Sequence, residues 1–251
     1  MPPFVHLSVH TEFSLVDGIA RIKPLMAAVR AHEQPAVAVT EQSNLFSLVR
    51  FYTAAQAAGI KPIIGCDVWV ASGDRPEAPH RLTLLCQTND GYRKLAQLVS
   101  RSNLEGQRNG TPVLAEEWLD ETDGLLALSG GAAGPIGTAL LNGHDVVAEE
   151  RLKRWNERFP GRFYLDIQRV GRPREDEHIY RTVDLCLKHD MPIVATNDVR
   201  FIEQADFEAH EARVCIHEGR ALADPRRPRR YTEQQYLRSS DDMVALFEME
   251  F

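Results

Sequence analysis

Carboxylate and imidazole side chains recur near the ends of the predicted strands of this chain. They are His6, His10, Asp17, Glu41, Asp67, His80, Asp166, Asp198 and His210. If the strands form a barrel, the ends that carry these residues converge on one mouth. Carboxylates and imidazoles together suit hard to borderline metals such as Mn and Zn. A single Asp after a strand is more typical of a helix cap, so only the recurrence of these residues indicates a site.

Hydrophobic periodicity predicts the elements that would position these residues. Strands are predicted at 4–9, 36–40, 61–71, 82–87, 124–129, 163–169 and 192–198. Helices are predicted on the apolar faces Ile22/Leu25/Met26/Val29 and Leu45/Leu48/Val49/Tyr52, and at 91–104, 148–159, 175–188 and 205–217, with a loop at 130–135 and Ser240 capping a last helix over 241–251. The alternation of strand and helix favours a parallel sheet with helices outside it, and the number of units favours a barrel.

The last part of the chain differs in composition. Arg226, Arg227, Arg229 and Arg230 stand among prolines, where no regular element fits. The segment is either a solvated linker or a patch that contacts phosphate. We therefore divide the chain into a barrel domain, 1–217, and a basic linker with a short helix, 218–251. Because the chain stops in the middle of a helical pattern, we expect the linker to lead toward a further domain.

The overall composition argues against several classes of protein. Of 251 residues, 43% are hydrophobic and 26% charged, so disorder is not indicated. The formal net charge of -7 is opposite to that of a typical duplex-binding module. No apolar run is long enough to span a membrane and no signal-peptide pattern is present, so we expect a cytoplasmic protein. The four cysteines form no CxxC pair and are expected to be reduced.

Several motifs occur in the order and at the spacing of one known family. They are HLSVHTEFSLVDG at 6–18, TEQSNL at 40–45, GIKPIIG at 59–65, LTLL at 82–85, LSG at 128–130 and VATNDVRF at 194–201. Over essentially its whole length the chain thus resembles the PHP (polymerase and histidinol phosphatase) domain at the amino terminus of bacterial replicative, C-family DNA polymerases, the DNA polymerase III alpha-subunit family. An ordered set of motifs is far more specific than any one of them.

The resemblance implies a fold and a site. The fold would be α/β, a distorted TIM-like (β/α)7 barrel with a polynuclear metal site at its mouth. In metal-competent members that site hydrolyses phosphoesters or pyrophosphate. Carried over residue by residue, this sequence keeps the family's His10, Asp17 and Asp198, together with acidic residues at Glu41, Asp67 and Asp166.

Elsewhere the sequence departs from the family's ligand pattern. Residues other than the family's His or Cys stand at Ser8, Gln42, Gly131 and Arg200, and at Arg81 unless His80 takes that position, while a His near Val170 is missing. Arginine offers no lone pair and stays charged, so it opposes a cation. We hypothesise that Arg81 and Arg200 replace metals as the positive partners of Asp17, Glu41, Asp67 and Asp198. The result would be a degenerate, non-catalytic site without metal, formed by His10, Asp17, Glu41, Asp67, Arg81, Asp166, Asp198 and Arg200.

The resemblance leaves two functions open. The first is an inactive module that supports the fold of a DNA-directed DNA polymerase, a nucleotidyltransferase, and docks its proofreading exonuclease subunit. Its partners would be that subunit and the rest of the alpha chain, with DNA bound only through the parent chain, no membrane, and Mg in a polymerase core beyond residue 251. The second is an active metal-dependent phosphoesterase, pyrophosphatase or proofreading exonuclease, with Mn or Zn held by the remnants His10, Asp17, Glu41, Asp67 and Asp198.

Overall fold

The computed structural model describes residues 3–72 and 75–248 as a mixed α/β fold. The strands are β1 (Ala36–Gln42), β2 (Lys61–Ser72), β3 (Arg75–Cys86), β4 (Gln107–Arg108), β5 (Thr111–Ala115), β6 (Leu125–Leu128), β7 (Phe163–Gln168) and β8 (Ile193–Thr196). They form an eight-stranded sheet in the order β4-β5-β2-β3-β6-β7-β8, with β1 paired to β2. The helices are α1 (Ile22–Ala31), α2 (Leu48–Ala58), α3 (Asn89–Leu104), α4 (Pro135–Leu141), α5 (Asp145–Arg158), α6 (Glu175–His189), α7 (Phe207–Glu218) and α8 (Ser240–Glu248).

The sheet is mixed rather than parallel. Strand β1 pairs with β2 in parallel, and β6, β7 and β8 also run parallel to one another. Strand β3, however, is antiparallel to both β2 and β6, so the prediction of a parallel sheet is wrong in its centre. Only two residues separate β2 from β3, whereas a parallel crossover needs about a dozen or more. The α/β class is confirmed, and the arrangement is consistent with a distorted TIM-like barrel.

The first predicted strand, residues 4–9, forms isolated bridges instead of a continuous strand. His6 bridges to Val37 of β1, whereas Val9 bridges to Val199, which follows β8. The backbone N–H of His10 donates to the Val199 carbonyl at 2.9 Å, and the N–H of Ala38 donates to the His6 carbonyl at 2.8 Å. Because the segment divides its hydrogen bonds between two neighbours, neither pairing extends into a ladder. The segment nevertheless holds the motif residues between β1 and the chain that leaves β8.

Helices α1 and α2 show where periodicity succeeds and where it fails. All four predicted apolar residues of α1 are buried. In α2 the predicted face is wrong, because Val49 and Tyr52 are 72% and 50% exposed, while Phe51 and Ala55 are buried. Phe51 and Ala55 are also spaced four residues apart on one helix face, and the wholly apolar ring of Phe51 buries more apolar area in the core than Val49 would. As predicted, Gly59 ends the helix in the left-handed conformation, with φ of 71°.

Two further local predictions need correction. Residues 130–135 were expected to be a loop, but they include a 3-10 turn and the start of α4, whose first residue is Pro135. At α8 the capping residue is Ser239 rather than Ser240, since its hydroxyl oxygen accepts from the Asp242 N–H at 3.1 Å. The Ser240 hydroxyl accepts from the Phe4 N–H instead, at 3.0 Å. The predicted end of this helix, 249–251, lies outside the described residues.

Two buried clusters carry most of the hydrophobic core. The larger one packs β2, β3 and β6 against helices α3 to α6 and includes the stacked rings of Trp155 and Phe163, whose centroids lie 6.2 Å apart. The smaller one joins α1, α2 and β1. These clusters fix the strands that carry the candidate site. Across residues 3–72 and 75–248, no helix combines the length and the apolar character that crossing a bilayer requires.

Candidate functional site

Strands β2 and β3 place Asp67 and Arg81 side by side. Asp67 lies opposite Thr83 in the β2–β3 ladder, and Arg81 precedes Thr83 by two residues, which puts all three side chains on one face of the sheet. The Thr83 hydroxyl and an Arg81 guanidinium N–H both donate to the Asp67 carboxylate. Arg81 is only 7% exposed, whereas His80 lies on the other face and lines a gap beside Trp155. Arg81, not His80, therefore faces the site.

Backbone packing helps to hold Arg81 in this position. Gly130, two residues after the end of β6, adopts φ of 82°, and a Cβ atom there would lie 2.1 Å from the carbonyl oxygen of Arg81. Such a distance is far shorter than any real contact, so only glycine allows this close approach. The Leu-Ser-Gly motif at 128–130 thus supports the part of β3 that carries the arginine.

Asp198 is the centre of the site. Its carboxylate is fully buried, and Oδ1 accepts from Nη2 of Arg81 and from Nη2 of Arg200, both at 2.7 Å. Its other oxygen, Oδ2, accepts from Nη2 of Arg172 at 2.5 Å and from Nε2 of Gln235 at 2.9 Å. One carboxylate thus accepts hydrogen bonds from three guanidinium groups. Each of these hydrogen bonds is charge-assisted and therefore stronger than a neutral one.

His10 links the two remaining acids of this network. Its Nδ1 lies 2.8 Å from Asp17 Oδ1, and its Nε2 lies 2.8 Å from Asp67 Oδ2. An ionised carboxylate only accepts hydrogen bonds, so both ring nitrogens must carry a proton and the ring is an imidazolium. Burial and the nearby Arg200 act to lower the pKa of His10, but Asp17 and Asp67 hold that pKa above its ordinary value.

The pKa values of the three aspartates follow the same balance. Burial acts to raise each of them, because the charged form loses its hydration. For Asp17 the opposing charges of Arg200 and His10 hold the pKa below its usual range. Arg81 and His10 do the same for Asp67, and three arginines hold the pKa of Asp198 far below its usual value. All three aspartates are therefore ionised at neutral pH.

We name this group the arginine–carboxylate network: His10, Asp17, Asp67, Arg81, Arg172, Asp198 and Arg200. Each of the six carboxylate oxygens of its aspartates lies within reach of a donor from the protein itself. Within the described part of the chain, no three His, Cys, Asp or Glu side chains are grouped so that they could hold a metal ion. The network does not fit a metal, because a cation would have to displace these donors and sit beside guanidinium charges.

Glu41 and Asp166 lie outside this network. The Glu41 carboxylate accepts from the Thr11 N–H at 3.0 Å, from the Ser14 hydroxyl at 2.6 Å and from the Thr11 hydroxyl. The prediction that an arginine partners Glu41 is therefore wrong, since the first-motif loop supplies neutral donors in its place. Asp166 Oδ1 accepts from the Ser129 hydroxyl at 2.9 Å and from the Gly131 N–H at 2.8 Å.

Sequence reasoning missed three residues of the site: Arg172, Tyr231 and Gln235. The absence of the family's His near Val170 was the one available signal for Arg172. Tyr231 and Gln235 belong to a segment, 231–238, that we call the strap. The sequence places this segment in the basic linker. The Tyr231 hydroxyl donates to Asp17 Oδ2 at 3.0 Å, and Gln235 is fully buried.

The strap is hydrogen-bonded to the chain that follows β8. The N–H of Arg200 donates to the Gln235 carbonyl at 2.8 Å, and the Asn197 amide donates to the carbonyls of Gln234 and Tyr236. Residues 222–230 contain neither helix nor strand, in agreement with the sequence. The division of the chain at residue 217 stays a prediction, but the strap packs as an integral part of the site.

Removal of the Tyr231 hydroxyl tests the strap. We expect Tyr231→Phe to lower the free energy of unfolding by about 1–2 kcal/mol, because Asp17 loses a buried donor to its charge. Urea denaturation followed by circular dichroism measures this change. Tyr52→Phe, on an exposed face of α2, is the control and should change stability by less than about 0.5 kcal/mol. Equal effects of the two variants would contradict a structural role of the strap hydroxyl.

A buried histidine beside the strap predicts a loss of stability in mild acid. Burial lowers the pKa of His6 to about 4, although its Nε2 lies 2.9 Å from the Arg238 carbonyl. Below pH ~6.5 His6 takes up a proton in the unfolded chain, whereas in the folded chain it does so only near pH 4. The free energy of unfolding therefore falls as the pH is lowered from about 6.5 to about 4. His10 acts in the opposite direction, because its raised pKa contributes stability below pH ~6.5 that is lost as the pH rises through its folded value.

The variant His6→Gln isolates this effect, because His10 is present in both proteins. Between pH 7 and pH 5 we expect the free energy of unfolding of the parent chain to fall by roughly 2 kcal/mol more than that of the variant. Urea midpoints at the two pH values give the comparison, with the exposed His144→Gln as control. The same fall in parent and variant would show that His6 does not take part.

Comparisons with known proteins agree with this fold and these motifs. The family model of the PHP domain matches residues 6–170. Over 97% of its length the chain is 54% identical to DNA polymerase III subunit alpha of Pseudomonas aeruginosa, and over 98% it is 43% identical to that of Escherichia coli K12. The chain belongs to the PHP domain family. Within that family it is similar to the amino-terminal region of DNA polymerase III alpha subunits, as the motifs predicted.

The chain spans about a fifth of the length of these relatives, 21% in both cases. Two solved structures share its fold at a TM-score of 0.55. One is provisionally named a metal-dependent phosphoesterase, from Bifidobacterium adolescentis, at 11% identity over 77% of this chain and 86% of that one. The other is an amidohydrolase from Chromobacterium violaceum, at 12% identity over 83% of this chain and 96% of that one. At such identities the likeness shows the fold alone.

Proposed function

We propose that this chain is a non-catalytic PHP module in which guanidinium groups take the place of metal ions. The observation that carries the proposal is Arg81, whose Nη2 donates to both Asp67 and Asp198, two acids that the resemblance assigns to the metal site. Three arginines and one imidazolium carry four positive charges against the three negative charges of the aspartates, so the protein itself neutralises the charges that metals would neutralise.

Hydrolysis in this family depends on a metal that activates water and stabilises the phosphoryl oxygens. The network offers neither a free carboxylate oxygen nor a neutral imidazole nitrogen for that purpose. Its role is therefore structural: the carboxylates and guanidiniums join β2, β3, the chain after β8 and the strap. In the parent protein this module would support the remainder of a polymerase alpha chain, whose nucleotidyl transfer and Mg chemistry lie beyond residue 251.

The second part of the proposal is a docking site for the proofreading exonuclease subunit. An apolar stripe supports protein contact, because Phe46, Val49 and Tyr52 are 66%, 72% and 50% exposed and lie three residues apart around α2. Large apolar side chains exposed at this spacing are typical of a protein interface. The overall acidic balance of the chain also fits protein contact better than a duplex-binding role.

Two measurements test the proposal. Hydrolysis of p-nitrophenyl phosphate and of bis-p-nitrophenyl phosphate with added Mn or Zn should stay at the rate without protein. Turnover that needs the metal and disappears in Asp198→Asn would instead establish the phosphoesterase. Calorimetric titration with the exonuclease subunit should give binding that Val49→Asp weakens at least tenfold, whereas Val146→Asp, equally exposed on α5, leaves it unchanged. Absence of binding, or equal weakening by both variants, would refute the docking site.

A further inference from the structure

One part of the chain carries a charge opposite to the rest. Residues 211–231 contain six arginines against three acids, although the whole chain has a net charge of -7. Every cation of this segment is an arginine and none is a lysine. Arg220, Arg226, Arg229 and Arg230 are exposed. We name the segment, formed by the last turns of α7 and the loop after it, the arginine surface.

The acids of the arginine surface orient some of its guanidinium groups, but the arginines outnumber the acids. Buried Glu211 accepts from Arg227, and Glu218 accepts from Nη1 of Arg230 at 3.0 Å. Asp224 lies 3.4 Å from Nε of Arg226. The pairs made by the exposed side chains of Arg226 and Arg230 are worth less than about 1 kcal/mol each and yield readily to a stronger anion, whereas Arg227 stays paired with buried Glu211. Among the residues that the structure describes, Arg229 has no acidic partner.

A cleft of about 370 Å³ opens in the arginine surface. Arg220, Arg230 and His217 line it together with one acid, Glu218, and the apolar Val16 and Val214. A cleft of this size can hold a sugar–phosphate unit. The arginines supply forked N–H donors for phosphate oxygens, and the apolar wall suits a sugar face.

We propose that the arginine surface binds the phosphodiester backbone of DNA. Several arginines on one loop can meet successive phosphates of one strand, and each contact releases counterions, which drives binding in a salt-dependent way. The guanidinium fork pairs with phosphate oxygens two at a time, and the close succession of Arg226, Arg229 and Arg230 on one loop suits the regularly spaced phosphates of a nucleic-acid strand. The inference is independent of the role of the arginine–carboxylate network and assigns this chain a DNA contact of its own.

Fluorescence anisotropy of labelled oligothymidylate, and of a duplex of equal length, tests the proposal on the 251-residue chain. We expect affinity to fall steeply between about 50 and 200 mM salt. The triple variant Arg226→Glu/Arg229→Glu/Arg230→Glu should bind at least tenfold more weakly and lower the salt slope by roughly 2. Tighter binding of the single strand or of the duplex supports the proposal and identifies the preferred form.

The matched control is Arg93→Glu, an exposed arginine of α3 that also pairs with a nearby aspartate, Asp90. It should change affinity by less than about twofold. Circular dichroism should show the same thermal unfolding for all variants, since the substituted residues are exposed. Undetectable binding at low salt, equal weakening by Arg93→Glu, or equal competition by polyglutamate would each overturn the proposal, the last in favour of an acidic protein partner.

Discussion

Replacement of Asp198 by alanine is expected to lower the free energy of unfolding by at least about 3–5 kcal/mol, the range found when one partner of a buried ion pair is removed. The carboxylate of Asp198 accepts from Arg81, Arg172 and Arg200, two of which are nearly completely buried. Without it, guanidinium charges lie close together in a region that water does not reach. Because small domains have only about 5–15 kcal/mol of stability, we expect the variant to be partly unfolded at 37 °C.

Urea denaturation of Asp198→Ala measures this effect, and Asp198→Asn separates charge from shape. The asparagine variant keeps the size and one acceptor oxygen but loses the charge, so most of the loss should remain. Asp123→Ala is the control, because this aspartate is 95% exposed and lies 3.4 Å from Arg162. It should change stability by less than about 0.5 kcal/mol. A loss below about 1 kcal/mol in Asp198→Ala would contradict the central position of this carboxylate.

Replacement of Arg81 by methionine is expected to cost a similar amount, about 3–5 kcal/mol, because Asp67 and Asp198 would both lose a buried positive partner. Methionine fills much of the volume of the arginine stem, so the loss reports charge more than packing. The pKa of both aspartates should rise toward the ordinary value in this variant, since burial would then act with less opposition. The variant should therefore also lose stability at a higher pH than the parent chain as acid is added.

A double-mutant cycle with Asp67→Asn checks that the two residues act as a pair. We expect the double variant to be about 1–3 kcal/mol more stable than the sum of the single losses predicts, because removal of both charges leaves neither uncompensated. Additive losses would show that Arg81 and Asp67 contribute independently. The pair Arg93 and Asp90, exposed on α3, provides a matched cycle in which coupling should stay below about 0.5 kcal/mol.

The resemblance to the family anticipated much of the site. It assigned His10, Asp67 and Asp198 to one site, and the structure brings them together through His10 and Arg81. The choice between His80 and Arg81 could not be made from sequence, because a shift of one residue exchanges the two faces of a strand. The β2–β3 ladder resolves it by placing Arg81 two residues before Thr83.

Other parts depended on tertiary contacts that no local pattern encodes. Tyr231 and Gln235 lie 214 and 37 residues away from the aspartates they contact, in a segment without a regular element. The sequence assigns Glu41 to the arginines because it stands at an acidic position of the family's second motif. In the folded chain its carboxylate instead accepts hydrogen bonds from Thr11 and Ser14. The antiparallel position of β3 follows from the two-residue connection after β2, a connection too short for a helix.

Bound metal is the measurement that tests the central claim most directly. The chain, purified without chelator and then again after incubation with Mn and with Zn, is analysed by elemental mass spectrometry. We predict far less than one metal ion per chain in each preparation, since guanidinium and imidazolium groups occupy the carboxylates of the network. One or more ions per chain, lost in Asp17→Ala and in Asp198→Ala variants that remain folded, would contradict the replacement of metals by arginines.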